Sequence, residues 1–289
     1  MKKICTNFIK RNLYKKIPKS LRSQLMKHLL PSIKLDLDNI KFESAKTHDD
    51  YIRAFRLLHD VYVESGYAEA SAVALRFTPH HFHPDSRIFL GTYNEGSKES
   101  LIYTISIFPD SRDGLPMDIA FKNELDQLRS KGRFIAEAGC LASFPMFRKN
   151  DMNIPMLGNK ILLQYAFQHL DADDLVIAIH PKFQWIYEDL ILFEPISEIK
   201  QYAPVKNNPA IAMRLDLRSM EANHKKRFGS MPIHKNLHHF FFEGESKSIV
   251  LPEKQSFMET NFLNDMVLND MVLNSVKSDF WGSSSSLSI

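Results

Sequence analysis

No run of the sequence is apolar for the roughly 18 residues that span a bilayer, and the N-terminus lacks the apolar core of a signal peptide. A cytoplasmic protein, touching the inner face of a membrane at most peripherally, is therefore expected. Cysteine is nearly absent too: Cys5 and Cys140 are far apart and match no metal spacing, which excludes a disulfide framework and fits a reducing compartment. His80, His81 and His83, with His234, His238 and His239, match no zinc pattern either, so no metal is expected. Residues 1–34 contain no Asp or Glu but ten Lys and Arg; +10 there against +3 for the whole leaves −7 for the rest. Nothing basic follows in the body of the chain, so nucleic acid is not an expected partner.

The basic stretch carries Ile9, Leu13, Ile17, Leu21, Leu25 and Leu29 four apart, the pattern of a basic amphipathic helix that Pro18 breaks or starts. Such a face suits an anionic surface, either a membrane or an acidic protein. A solvated helix covering the main domain is the plain alternative. Its 289 residues allow one large domain with extensions, read as a basic extension over 1–40, a main domain over 41–220 and a C-terminal extension over 221–289. The last part holds the doubled pentamer "NDMVLNDMVL" and a serine-rich tail.

Tyr51, Phe55, Leu58 and Tyr62 recur at helical spacing behind Thr47, a possible cap. Two apolar runs, Ile88 to Tyr93 and Leu101 to Phe108, flank "NEGS" and read as a hairpin. A helix marked by the apolar positions Ile119, Phe121, Leu125 and Leu128, with Gly132 at its stop, follows. Then come a strand ("RFIAEAGCLAS"), a helix ("LGNKILLQYAFQHL"), a buried strand ("DLVIAIH"), a helix ("KFQWIYEDLIL") and a closing strand ("AIAMRLDL"). This α, β, β, α, β, α, β, α, β order predicts an α/β or α+β sheet covered by helices.

The strand "RFIAEAGCLAS" holds one carboxylate. Alternation puts Glu137 with Ile135, Gly139 and Leu141, and Cys140 on the other face with Ala136, Ala138 and Ala142. If that face is packed, an unpaired carboxylate costs several kcal/mol, so a partner or a chemical task is expected; if it is wet, neither is needed.

Four strings, "LLHDVYVESGY" (Leu57 to Tyr67), "GLPMDIAFKNELDQLRSKGRFIAEAGCLA" (Gly114 to Ala142), "AIHPKFQWIYEDLILFEPI" (Ala178 to Ile196) and "VKNNPAIAMRLDL" (Val205 to Leu217), resemble the N-acyl amino acid synthase branch of the GNAT-type acyltransferases. That branch is also similar to acyl-homoserine-lactone synthases, and the likeness covers about residues 45–220. It implies a GNAT-like three-layer sandwich whose central mixed sheet splays apart to admit a pantetheine arm. The implied reaction moves a long-chain fatty acyl group from acyl carrier protein to the amine of an amino acid or similar small acceptor. A transferase acylating a protein or another amine, and a non-catalytic module binding acyl carrier protein or membrane, are the competing readings. No cofactor is implied beyond the acyl-phosphopantetheine thioester, which is the donor substrate.

The same resemblance gives Glu137 a role at the mouth of the splay, because an amine arrives as ammonium and something must accept its proton. Tyr187 is where related folds carry a Tyr that protonates the leaving thiolate, and His180 ends the strand beside it. Arg148 and Lys149, with the helix around Gly158, are candidates for the pantetheine phosphate. The Gly-rich phosphate loop of coenzyme A-dependent relatives is absent, which favours a carrier protein. Tyr62, Ala138, Cys140 and Leu141 are expected to line the substrate. Cys140 stands where homoserine-lactone synthases have Arg, which points away from lactone chemistry, and its thiol is read as inert.

Overall fold

The computed structural model describes residues 30–144 and 152–252; the basic stretch up to residue 29, Arg148, Lys149, the doubled pentamer and the tail lie outside the described residues. Strand β1 (Ile40–Ser44) precedes helix α1 (His48–Glu64). Thr47 caps α1 as expected: its side chain accepts the Asp50 amide while the Asp50 carboxylate accepts the Thr47 amide, a reciprocal box. Tyr51, Phe55 and Leu58 are buried by the helix, as their spacing requires.

Strands β2 (Arg87–Glu95) and β3 (Lys98–Pro109) form the hairpin, closed by Gly96 at φ 62° and Ser97 between paired Glu95 and Lys98. Helix α2 (Asp118–Arg129), strand β4 (Ile135–Ser143), helix α3 (Asn153–Gln168) and strand β5 (Asp174–Ile179) follow. After a helical passage from Pro181 to Ile191 come the short strands β6 (Glu194–Pro195) and β7 (Lys200–Tyr202), then β8 (Asn208–Asp216), helix α4 (Leu217–Phe228) and β9 (Ile249–Val250). The sheet runs β6-β8-β5-β4-β3-β2-β1-β9, with β7 joined to β8. It is mixed: β4 with β5 and β1 with β9 are parallel, and the other pairs are antiparallel.

Three layers result. Helices α1 and α2 cover one face, through Phe55 against Ile88 and Leu90 and through Phe121 and Leu125 against Ile135 and Val176. Helices α3 and α4 cover the other, where Leu157 and Ile161 meet Ile105, Ile107 and Ala136. That second core also takes in Leu237, Phe240 and Phe241, and buried Lys160 of α3 donates to the carbonyls of Phe240 and Gly244, fixing the chain beyond α4 to this face.

The structure corrects the sequence reading in three places. Ile119 is 41% exposed, and Met117 takes the core position instead. Ile119 and Phe121 are two residues apart, and one helix face cannot present both. The stretch "KFQWIYEDLIL" is not one α-helix but a 3₁₀ turn, a single α turn and a π turn over Tyr187–Ile191. The short strands β1, β6, β7 and β9 are also present, each too brief for periodicity to reveal.

Candidate active site

Strands β4 and β5 pair only at Ile135 with Asp174, Ala136 with Leu175 and Glu137 with Val176. Each continues past that point without pairing further with the other, so the sheet parts between them from Glu137 onward. An amide-bearing arm fits such an opening as an added strand would. On the other side of β4 the register with β3 jumps from Ser106 opposite Gly139 to Thr104 opposite Ala142. Two residues of β4 thus face one of β3, and Cys140 takes the left-handed conformation at φ 52°. This bulge corrects the strict alternation assumed from sequence. Cys140 turns to the Glu137 face and packs against the α2 core, while Leu141 turns towards α3.

The opening leads into a cavity of about 630 Å³. Glu137 lies on its wall, 3% exposed. Its Oε2 accepts the Met117 amide at 2.8 Å. Met117 opens α2 without a side-chain cap, so the carboxylate satisfies an amide that the helix start leaves over. Arg129 steadies that start: it reaches Asp118 through two bonds of 2.7 Å and Asp110 through bonds of 2.7 and 2.8 Å. Asp118 in turn accepts the Leu115 amide at 2.7 Å.

Burial pushes the Glu137 pKa up to about 8, against the pull of the Met117 hydrogen bond and with a further push from the Asp118 charge. The carboxyl is then mostly protonated at pH 7. A cation beside it would restore the anion.

Around Glu137 the cavity is lined by Tyr62 from α1, Tyr202 from β7, Cys140 and Arg76. The Arg76 guanidinium lies 4.9 Å over the Tyr62 ring and donates to the Pro204 carbonyl. Burial pushes the Cys140 thiol up to about 12, with Arg76 pulling it down and Glu137 pushing it up. A thiol held protonated is a poor nucleophile. Burial likewise holds Tyr62 and Tyr202 above the usual phenol range.

The lining also includes Tyr187, His180, Leu141, Met152, Met156 and Ile191. Tyr187 opens the π turn with its ring edge-on to Phe193, 5.6 Å between centroids, and burial pushes its pKa up to about 12. It remains a hydrogen-bond donor throughout the working range. His180 uses Nδ1 to accept the Lys182 amide at 3.1 Å, which pins its ring at the end of β5. Tyr62, Glu137, Cys140, Leu141, His180 and Tyr187 are thus brought together. Ala138 and Gly158 are not on the wall: Ala138 turns into the core beneath α3, and Gly158 sits inside α3, where a Cβ would overlap the Tyr103 ring. The phosphate role of Arg148 and Lys149 falls outside the described residues.

Sequence reasoning passed over Met117, Arg76 and Tyr202. A backbone donor leaves no trace in sequence. Arg76 did leave one, as the lone charge in "SAVALRFTP", the same signal that singled out Glu137.

Residues 53–216 match the family model described as N-acyl amino acid synthase FeeM. The solved structure of FeeM, an N-acyl amino acid synthase from uncultured soil microbes, is 27% identical, with a TM-score of 0.55 over 63% of this chain and 93% of that one. BjaI, a coenzyme A-dependent acyl-homoserine lactone synthase solved with MTA, is 12% identical, with a TM-score of 0.50 over 75% of this chain and 95% of that one. At that identity the likeness is one of fold. No curated protein matches the chain.

Proposed function

The chain belongs to the N-acyl amino acid synthase FeeM family, and from that premise we propose that it moves a fatty acyl group from a phosphopantetheine thioester to the amine of an amino acid or similar small acceptor. The observation that carries this reading is Glu137, a buried carboxyl with one amide donor, placed where β4 and β5 part. The pantetheine arm enters between the strands, whose facing edges are not paired with each other past Glu137, and the acyl chain follows the wall of Met152, Met156 and Ile191. The acceptor amine comes from the Tyr62 and Tyr202 side.

Ammonium approaching Glu137 lowers the carboxyl pKa by charge, so that the carboxyl releases its own proton to solvent, and the anion then takes one proton from the ammonium. The neutral nitrogen attacks the thioester carbonyl carbon. A C–N bond forms, the C–S bond breaks, and the thiolate leaves with its electron pair. The second amine proton is lost as the amide forms, and a proton returns to the sulfur. Tyr187, a phenol held protonated by burial and part of the cavity lining, supports a reading in which it hydrogen-bonds the departing sulfur.

The donor is best read as an acyl carrier protein, since residues 1–34 give the chain a basic stretch suited to an acidic partner and the chain lacks a Gly-rich phosphate loop. The same charges suit an anionic membrane at the cytoplasmic face. No helix among the described residues is long and apolar enough to cross a bilayer. Mass spectrometry of lipid extracts from cells producing the protein or its Glu137→Gln variant tests the reading. A new N-acylated amino acid made only with the parent chain is expected; no new product from the parent overturns it.

A further inference from the structure

Two hydroxyls on the cavity wall are left without a bond. Tyr103 of β3 and Ser143 of β4 stand directly opposite each other in the register of the two strands, so their side chains leave the sheet on the same face. Both residues are buried and both border the cavity. Neither hydroxyl has a hydrogen-bond partner among the described residues, and they do not bond each other. The Tyr103 ring is fixed from two sides: it lies over Gly158 of α3, where an added Cβ would come within 2.6 Å of the phenol oxygen, and Phe42 meets it edge-on at 5.5 Å between centroids.

Buried hydroxyls are as a rule paired, and one left unanswered is destabilising. The wall around this pair offers little help. Tyr103 shares its core with Met156 and Ile191, the apolar wall along which the acyl chain is read to run. Asn159, the polar side chain that α3 adds to the lining, donates its amide to the Pro155 carbonyl at 2.8 Å. A plain alkyl chain drawn along this wall leaves both hydroxyls as they are. A hydroxyl on the chain accepts one hydrogen bond and donates another, so it answers both at once, whereas a keto oxygen can only accept.

We infer that Tyr103 and Ser143 form a polar subsite within the acyl channel, so that the donor carries a hydroxylated acyl chain rather than a plain one. This rests on the reading that the cavity receives an acyl thioester. Tyr103 also lies within electrostatic reach of Tyr187, which is read at the departing sulfur. The hydroxyl therefore belongs among the first carbons of the chain and not at its tail.

The experiment gives the full chain a mixture of free amino acids as acceptor and acyl thioesters of one length as donors. The donors are unsubstituted, hydroxylated at each of the first carbons in turn, or bearing a keto group at the same positions. The quantity read is kcat/KM for each substituted donor relative to the plain one. In the parent protein the best hydroxylated donor is expected to be preferred by about 10- to 100-fold, the range for answering a buried polar group that is otherwise unpaired. Tyr103→Phe and Ser143→Ala should each lower that ratio, and the double variant should bring it close to unity. Each substitution removes an unanswered hydroxyl, so neither variant should melt below the parent. A marked fall in melting temperature would show that the hydroxyl is already bonded within the fold, and overturns the assignment. Equal use of plain and hydroxylated donors by the parent, a preference for the keto donor over the hydroxylated one, or a ratio untouched in the folded variants overturns it as well. Acylation from none of the donors defeats the acyltransfer reading itself, a different result from indiscriminate use of all of them.

Discussion

The two ends of the β4–β5 pair treat a buried acid in opposite ways. At the closed end Asp174 is fully buried, and Arg133 and Arg214 both bond it, Arg214 at 2.6 Å. Arg133 and Arg214 also reach Asp216, at 3.0 and 3.1 Å, and Arg218 holds Asp173 beside it. At the open end Glu137 is as deeply buried, yet it receives one amide and stands in no ion pair among the described residues. A buried charge left without a partner is costly, and this fold shows that it can supply partners. The closed end is held by its charges, whereas the open end buries a carboxyl without an ion pair, which is what the proposed reaction calls for.

The largest effect should come from Glu137→Gln. Glutamine can still accept the Met117 amide through its carbonyl, but it cannot take a proton, so amide formation should fall by about 100- to 10,000-fold in a steady-state assay. Its stability should move the other way. The Glu137 pKa is raised in the fold, from 4.5 to about 8, so the stability tied to its protonated form is complete below 4.5 and is lost as pH rises through 8. Melting temperatures of variant and parent should therefore diverge in favour of the variant as pH rises from 4.5 to 8.

At the closed end, Asp174→Asn leaves Arg133 and Arg214 facing a neutral group. The variant should lose about 3 kcal/mol of stability in urea unfolding while keeping turnover in the molecules that remain folded. An equal loss of turnover would show that the two ends are not separate in function.

A smaller effect is expected from Gly158→Ala, because the added methyl overlaps the Tyr103 ring on the cavity wall. A cost of about 1–3 kcal/mol in stability is expected from such overpacking. Displacement of the ring should alter the preferred acyl length, measured with a series of thioesters.

Much of this contrast was legible in the sequence. A lone acid in an otherwise apolar strand, and the quoted strings around it, led to Glu137 and to the splayed sheet. The helices α1 and α3 followed from long periodic runs. The bulge at Cys140 was not legible, since nothing but the φ of one non-glycine residue marks it, and one extra residue reverses every later side chain on the strand. Arg76 was missed because it joins Glu137 only through folding: sixty-one positions separate them in the chain. The Met117 amide has no side-chain signature at all.

In the proposed reaction Glu137 accepts the proton of the incoming amine. Single-turnover amide formation, measured against pH with acceptor and acyl thioester saturating, tests it most directly. The expected parent rate rises with pH through an inflection near 8, shifted lower where the bound ammonium favours the anion, and the Glu137→Gln rate is slow and lacks that inflection. A variant that reproduces the parent rate, or that retains the same inflection, would contradict it.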